Sequence, residues 1–309
     1  MSESIIKVQG LSHRYSKSWA IKDINFEIKT HGILGLLGSN GAGKSTTMNI
    51  MCGVLNQTEG KVFIDGVDMQ TNRQEAKKLI GFLPQNAPLY HDLTVDEYLI
   101  YTANLRLISH EKIAEAVEVA KHKCGISHFS KRLIKNLSGG YRQRVGIAQA
   151  IIHNPKIVVL DEPTNGLDPN QILEVRKLMK SIAQERAVIL STHILPEVQA
   201  TCDEIRMIDH GRMVFSGTMA SFNNYIQSNT LLIQLTKLPN IEALSNLEGI
   251  SKVETLPHHF YRLDIDTKDA DRIEQIVATS VSKGWGVQEV VKEKVSLEEI
   301  FAQLSVKQS

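Results

Sequence analysis

Ile33-Leu-Gly-Leu-Leu37, then Gly38-Ser39-Asn40-Gly41-Ala42-Gly43-Lys44-Ser45-Thr46, then Thr47-Met-Asn-Ile50: these three consecutive pieces decide the fold. The first is a short, mostly apolar run of the kind a buried parallel strand requires. The second is a Gly-x-x-x-x-Gly-Lys-Ser turn, and the third opens a segment with helix-compatible apolar spacing. Strand, glycine-rich turn and helix in that order form a phosphate cradle. The glycines let backbone N–H groups close around phosphate oxygens without a Cβ in the way, and the helix start adds its positive end. In such a loop Lys44 reaches the β- and γ-phosphates, and the Ser45 hydroxyl is available to Mg²⁺. The pattern points to a nucleoside triphosphate.

Two further apolar runs end in chemistry. Ile157-Val-Val-Leu160 is continuous and leads into Asp161-Glu162, and Val188-Ile-Leu190 leads into Ser191-Thr192-His193. Ligands of open α/β sheets bind at the C-terminal ends of parallel strands. Asp161 is therefore a candidate metal carboxylate, and Glu162 a candidate for polarising the attacking water. Reading Glu162 as a helix N-terminal charge fits poorly, because Pro163 follows at once. His193, at the end of a core strand, is in position to touch a γ-phosphate. Leu137-Ser138-Gly139-Gly140-Tyr141-Arg142-Gln143-Arg144 opens another helix, with Ser138 at its N-cap and free N–H groups beyond it. That makes a second anion site. It could take a different phosphate, or the γ-phosphate of a nucleotide held by another copy. Tyr15 stands among polar neighbours, and its residue type alone leaves it either a half-buried aromatic or a platform for a base.

Composition narrows the field. The 309 residues carry a net charge of +1 with the signs interspersed, which argues against a nucleic-acid groove. Cys52, Cys124 and Cys202 lie far apart, without metal or disulfide spacing, as suits a reducing compartment. His258-His259 after Pro257 reads as a solvated turn. The polar start is unlike a signal peptide, and no apolar run approaches the roughly 18 residues a bilayer span needs. Any membrane span is expected from another chain.

Taken in order, these residues resemble the ATPase subunits of ABC transporters over roughly residues 4–222. Gly38–Thr46 resembles Walker A, Gln85 the Q-loop, and Leu137–Gln143 the signature motif. Ile157–Glu162 resembles Walker B, Asp168 the D-loop and His193 the H-loop. Tyr15 matches the aromatic that stacks on adenine, which resolves the choice left open above. The resemblance implies ATP and Mg²⁺, with Ser45, Gln85 and Asp161 at the metal and Glu162, His193 and Gln85 at the reacting water and phosphate. It implies nucleotide contacts from Tyr15, the loop Gly38 to Thr46, Ser138, Gly139, Gly140 and Asp168. It also implies a head-to-tail dimer with a second copy, or with a homologous subunit, and integral-membrane permease subunits as partners. The protein would then sit on the cytoplasmic face of the cell membrane. Ser191–Val198, Thr201-Cys-Asp-Glu204 and Ser296–Leu304 resemble the ABC-2 type exporters, most nearly the gliding-motility or multidrug-like group. The competing class is a soluble ABC ATPase of DNA repair, chromosome maintenance or translation. Such proteins usually carry two cassettes or a coiled-coil insertion, and this sequence has neither.

The fold expected is α/β: a P-loop core with a parallel sheet, an antiparallel β subdomain and a helical insert, spanning residues 1–222. Within it, Asp65-Gly66 signals a hairpin, and Thr94 with Glu97 a capping box at the head of the insert between Leu93 and Asn136. The hairpin at Glu204–Phe215 closes this domain, and Thr218–Thr230 reads as a connector. Residues 223–309 form a small accessory α+β domain. From Leu231 its pattern is β-α-β-β-α-β, the ferredoxin-like order, followed by a closing helix from Ser296 with Glu299 in its own capping box.

Overall fold

The computed structural model describes residues 4–225, 230–237, 239, 241–265, 270–293 and 299–300. These fall into two compact units that divide after Met219. The first begins with a long hairpin, β1 (Ser4–Tyr15) and β2 (Ser18–Lys29), followed by β3 (Gly32–Leu37), the phosphate loop and α1 (Lys44–Met51). Then come β4 (Glu59–Ile64), β5 (Val67–Asp68), α2 (Arg73–Lys78) and β6 (Ile80–Leu83). Between β4 and β5, Asp65 (φ 48°) and Gly66 (φ 77°) both take left-handed backbone, the geometry that two-residue hairpins favour.

The insert holds α3 (Val95–Leu105) and α4 (His110–Cys124), and α5 (Gly139–Ile151) follows the signature segment. The capping box is formed: the Glu97 amide donates to Thr94 Oγ1 at 3.2 Å, and Thr94 N–H to Glu97 Oε2 at 2.8 Å. Lys121 of α4 is buried, its ammonium 2.6 Å from both Asp96 and Glu118 and 2.8 Å from Ser130 Oγ. A buried cation is tolerable only with partners like these, and here they bind α3 to α4.

The unit continues with β7 (Ile157–Asp161), α6 (Pro169–Ala183), β8 (Ala187–Thr192), α7 (Leu195–Thr201), β9 (Glu204–Asp209) and β10 (Arg212–Thr218). The core sheet runs β10-β9-β3-β8-β7-β6, parallel from β9 to β6 with β10 as an antiparallel edge. A second sheet, β2-β1-β4-β5, is antiparallel. Strands covered on both faces should be apolar throughout, and Val158, Val159 and Leu160 are each fully buried. Burying one such side chain is worth about 1.5–3 kcal/mol.

Within the stretch read as a connector, residues Met219–Tyr225 form a short helix, α8. Met219 and Phe222, three apart, share a helical face and are both buried, a spacing the polar residues around them concealed.

The second unit contains β11 (Thr230–Leu235), α9 (Ile241–Ser245), β12 (Ile250–Leu256), β13 (Phe260–Ile265), α10 (Ala270–Ser282) and β14 (Val287–Lys292). Its sheet order is β12-β13-β11-β14 with every pairing antiparallel, so the first strand lies between the third and the fourth. That is the split arrangement expected of the ferredoxin-like order. Its own core includes Leu231, Ile233, Leu263, Ile276 and Trp285. His258 and His259 lie in the turn between β12 and β13. The start of the closing helix at Ser296 lies outside the described residues.

Candidate functional site

Register explains the site. β7 is paired in parallel with β6 (Leu83 beside Leu160) and with β8 (Asp161 beside Ser191), while β8 places Thr192 beside Leu37 of β3. Four neighbouring strands thus end at one level. Gln85 and Glu162 each lie two residues beyond a paired leucine, and their side chains meet, with Gln85 Nε2 3.5 Å from Glu162 Oε2. His193, one residue beyond β8, places Nδ1 2.9 Å from Glu162 Oε1. With its proton on Nδ1 the ring donates to the carboxylate and leaves Nε2 for another partner.

The phosphate loop sits at the end of β3, beside β8. Lys44 is buried and folds back over the loop, donating to Gly38 O at 2.8 Å and Ser39 O at 3.0 Å. Burial pushes its pKa below the ordinary lysine value, against the opposing pull of Glu162 and then Asp161. Gly43 has φ 111°, and a Cβ there would lie 2.5 Å from Ile21 Cγ2 and 2.9 Å from Ala20 O, so only glycine fits. Ser39, Asn40, Gly41 and Ser45 are exposed, Ala42 lies buried in the turn, and Thr46 is half-buried in the first turn of α1.

Asp161 is buried at the tip of β7, and its Oδ1 has no hydrogen-bond partner among the described residues. The same holds for Ser191 Oγ on the adjoining strand. A buried carboxylate oxygen left unpaired, within electrostatic reach of Lys44 in a glycine-rich loop, suits a hard cation carried with phosphate. The donor set therefore fits Mg²⁺.

Other expected residues lie around this cluster. Tyr15 ends β1, 53% exposed, with its ring edge-on to His13 at 4.7 Å between centroids. Ser138 is the N-cap of α5, and its side chain makes no capping hydrogen bond. Asp168 caps α6 by accepting from the Gln171 amide at 3.0 Å. The Gln171 side chain backs Gly140, where a Cβ would lie 2.7 Å away, while Gly139 faces Leu167. The Asp168 turn and the signature helix are thus joined through Gln171.

Sequence reasoning missed several supporting groups. Gly211 N–H donates to Ala42 O at 2.9 Å, and Lys22 N–H donates to Gly211 O at 2.8 Å, wiring the Tyr15 hairpin to the phosphate loop. Its signal was faint: a glycine in a hairpin turn. Glu197, fully buried in α7, accepts from Thr164 Oγ1 and from Thr192 Oγ1. The available signal was a carboxylate four residues after His193.

The ABC transporter family model matches residues 21–165. A model for an AAA domain, described as a putative AbiEii toxin, matches residues 133–198, and longer alignments decide between the two. An uncharacterized ABC transporter ATP-binding protein of Bacillus subtilis is 38% identical over 216 residues, 69% of each chain. The bacitracin transport ATP-binding protein of Bacillus licheniformis is 37% identical over 214 residues, 68% of each. Among solved structures, CbiO1 of Clostridium perfringens, part of an ABC transporter complex, superimposes with a TM-score of 0.66 at 30% identity, covering 72% of this chain and 91% of its own. A dimeric ATP-binding cassette in a post-hydrolysis state with ADP and Pi gives 0.62 at 26% identity, covering 69% and 98%. At that identity and coverage, this chain belongs to the ATP-hydrolysing, ATP-binding subunits of ABC transporters.

Proposed function

We propose that this subunit powers export through separate membrane-spanning subunits, with Glu162 as the residue that activates water. The observation that carries the site assignment is the cluster of Gln85, Glu162 and His193 at the ends of β6, β7 and β8, beside Lys44. Lys44 exchanges the carbonyls of Gly38 and Ser39 for phosphate oxygens when nucleotide binds. Glu162 accepts a proton from the attacking water. His193 keeps the carboxylate aimed through Nδ1–H and turns Nε2 toward the γ-phosphate, which it can grip only with both ring nitrogens protonated. Ser45, Gln85 and Asp161 would hold Mg²⁺, which when bound would supply positive charge against that developing on the phosphate. Tyr15 supplies the base platform.

The signature helix N-terminus (Ser138, Gly139 and Gly140) is exposed at Ser138 and has no acidic residue in its first turn. An anion is favoured there, and we assign it to the γ-phosphate held by a second copy, in a head-to-tail dimer with Asp168 at the same interface. Export rather than import is supported by relatives named for bacitracin, lantibiotic and linearmycin systems. Among the described residues no helix is long and apolar enough to cross a membrane, so the reading assigns the span to permease subunits and this chain to their cytoplasmic face. The exposed tyrosines Tyr90 and Tyr101, near Gln85 and the insert, offer a surface for that partner.

Glu162→Gln tests the core of this reading. It keeps the side chain's shape and its contact with His193, and removes the base. Turnover should fall about 10²–10⁴-fold. ATP binding should persist, and ATP-bound dimer should accumulate on size exclusion. Turnover at the wild-type rate would refute the assignment.

A further inference from the structure

Glu197 stands apart from the residues that face nucleotide. It is 1% exposed, on the first turn of α7, and its neighbour Val198 is wholly buried. An apolar side chain would fill such a place without the cost of burying a carboxylate. Both of its oxygens are engaged, one by Thr164 Oγ1 and the other by Thr192 Oγ1 at 2.7 Å. The two threonines are themselves 5% and 2% exposed.

Each threonine governs one loop of the site. Thr164 lies two residues after Glu162, inside the turn closed by Asn165 N–H to Glu162 O at 3.1 Å and Leu167 N–H to Thr164 O at 3.2 Å. Thr192 immediately precedes His193, and its hydroxyl also accepts from the Ile194 amide at 3.1 Å, so it pins the backbone on both sides of the imidazole. Glu162 itself sits at φ 49°, left-handed backbone that a non-glycine residue holds only when its surroundings enforce it.

We propose that Glu197 is a positioning residue that locks the Glu162 turn to the His193 turn and so fixes the 2.9 Å contact between their side chains. It acts through Thr164 and Thr192 and touches no substrate. A carboxylate suits the task because both threonines donate and both of its oxygens accept. An amide would turn its NH₂ toward one hydroxyl and force that hydroxyl to reorient. The inference rests on the reading of Glu162 and His193 given above.

The experiment measures steady-state ATP hydrolysis and thermal unfolding of the full chain carrying Glu197→Gln, Glu197→Leu, His193→Ala, Glu162→Gln, and Glu197→Leu combined with His193→Ala. A misplacement near 1 Å costs about 10²-fold, so kcat of Glu197→Leu should fall by about that factor with ATP KM within about twofold of wild type. Glu197→Gln should fall less, with the same split between kcat and KM. Once His193 is alanine, the leucine substitution should cost nothing further, because the contact it positions is already gone. A purely structural role would lower Tm and add its full penalty in the combined variant, and that result overturns the proposal. So does an unchanged kcat in both Glu197 variants. If Glu197→Leu does not fold, the isosteric Glu197→Gln decides: a lowered kcat at unchanged KM supports positioning, and an unchanged kcat rejects it. Full turnover in Glu162→Gln would instead sink the underlying reading, whereas its loss alongside active Glu197 variants would sink positioning alone.

Discussion

Gly211→Ala should weaken ATP binding although residue 211 lies outside the phosphate loop. The residue turns the β9–β10 hairpin at φ 75° and bridges the Tyr15 hairpin to the phosphate loop through Lys22 and Ala42. Alanine in left-handed backbone costs about 1–2 kcal/mol. Its Cβ would also lie 2.6 Å from Ala20 O, 3.1 Å from Ala20 C and 3.2 Å from Ile21 Cα, all backbone atoms that must retreat together. The retreat strains or breaks the two hydrogen bonds, worth about 1 kcal/mol each. Gly66→Ala is the comparator, since Gly66 has nearly the same φ, 77°, and its Cβ would meet nothing within 4 Å. It should lose only the dihedral part, about 2–8 °C of Tm for a domain of this size. Gly211→Ala should lose about twice that. Its KM for ATP should rise about tenfold, the equivalent of 1.4 kcal/mol, while that of Gly66→Ala stays put. Differential scanning fluorimetry and a coupled ATPase assay read both. Equal Tm losses and equal KM values in the two variants would refute the bridging argument.

Tyr15→Ala should raise the KM for ATP about 5- to 100-fold with little loss of kcat, since stacking a base on an aromatic is worth about 1–3 kcal/mol; Tyr15→Phe should match wild type in the same assay. Burial, ahead of the nearby Arg106 and Arg186, lowers the His153 pKa to about 4. Nε2 lies 3.0 Å from Ile80 O, which suits a neutral ring. The unfolded chain takes up a proton near pH 6.5 that the fold refuses, so stability is complete above that pH and is lost as pH falls toward 4, by at most about 3 kcal/mol. Urea midpoints against pH should therefore be flatter for His153→Gln than for wild type, and parallel curves would count against it. A chain shortened to residues 1–225 should fold and bind ATP with the full chain's KM, because the second unit has its own core; an insoluble product would show that the units depend on each other.

Much of this was legible because the active positions are punctuated. Glycine-rich turns and runs such as Ile157–Leu160, ending in Asp161-Glu162, declare a strand, its direction and the chemistry at its tip. The second unit was legible because its strands alternate: in β11, Leu231, Ile233 and Leu235 are buried, with half-buried residues between them. What escaped was information carried by tertiary neighbours. Nothing local to Glu197 says that Thr164, 33 positions away, will meet it. Nothing in the Asp209-His210-Gly211 turn tells that the Ala42 carbonyl lies opposite. Within β1 the apolar alternation is interrupted by Gly10 and the shifts of register near it, which hides the strand's full length in the sequence. Helix α8 was hidden because Ser221, Asn223 and Asn224 interleave with Met219 and Phe222 and leave a weak period.

Left-handed backbone also occurs away from the site: in hairpin turns at Ser16, Asp65, His210, His258 and His259, within β2 at Asp23, and in the loops after α3 and α5 at Leu107 and Asn154. Glu162 differs. It follows β7 directly, between the buried Asp161 and Pro163, and its left-handed backbone costs of order 1–3 kcal/mol. Its amide is fixed to Ser191 O at 2.9 Å, its carbonyl to Asn165 N–H, and its carboxylate to His193. Relaxation to right-handed backbone would break these together and swing the carboxylate away from Gln85 and His193. Beside it, Asp161 Oδ1 and Ser191 Oγ are buried with no partner among the described residues, each a further cost of about 1–3 kcal/mol. Three unfavourable features therefore lie together: at Asp161 on β7, at its register partner Ser191 on β8, and at Glu162 just beyond β7. A sequence selected for stability alone would relieve them with glycine at 162 and apolar residues at 161 and 191. Their persistence is accounted for if phosphate, metal and water complete the arrangement, so that part of the binding free energy goes into holding Glu162 where the reaction needs it.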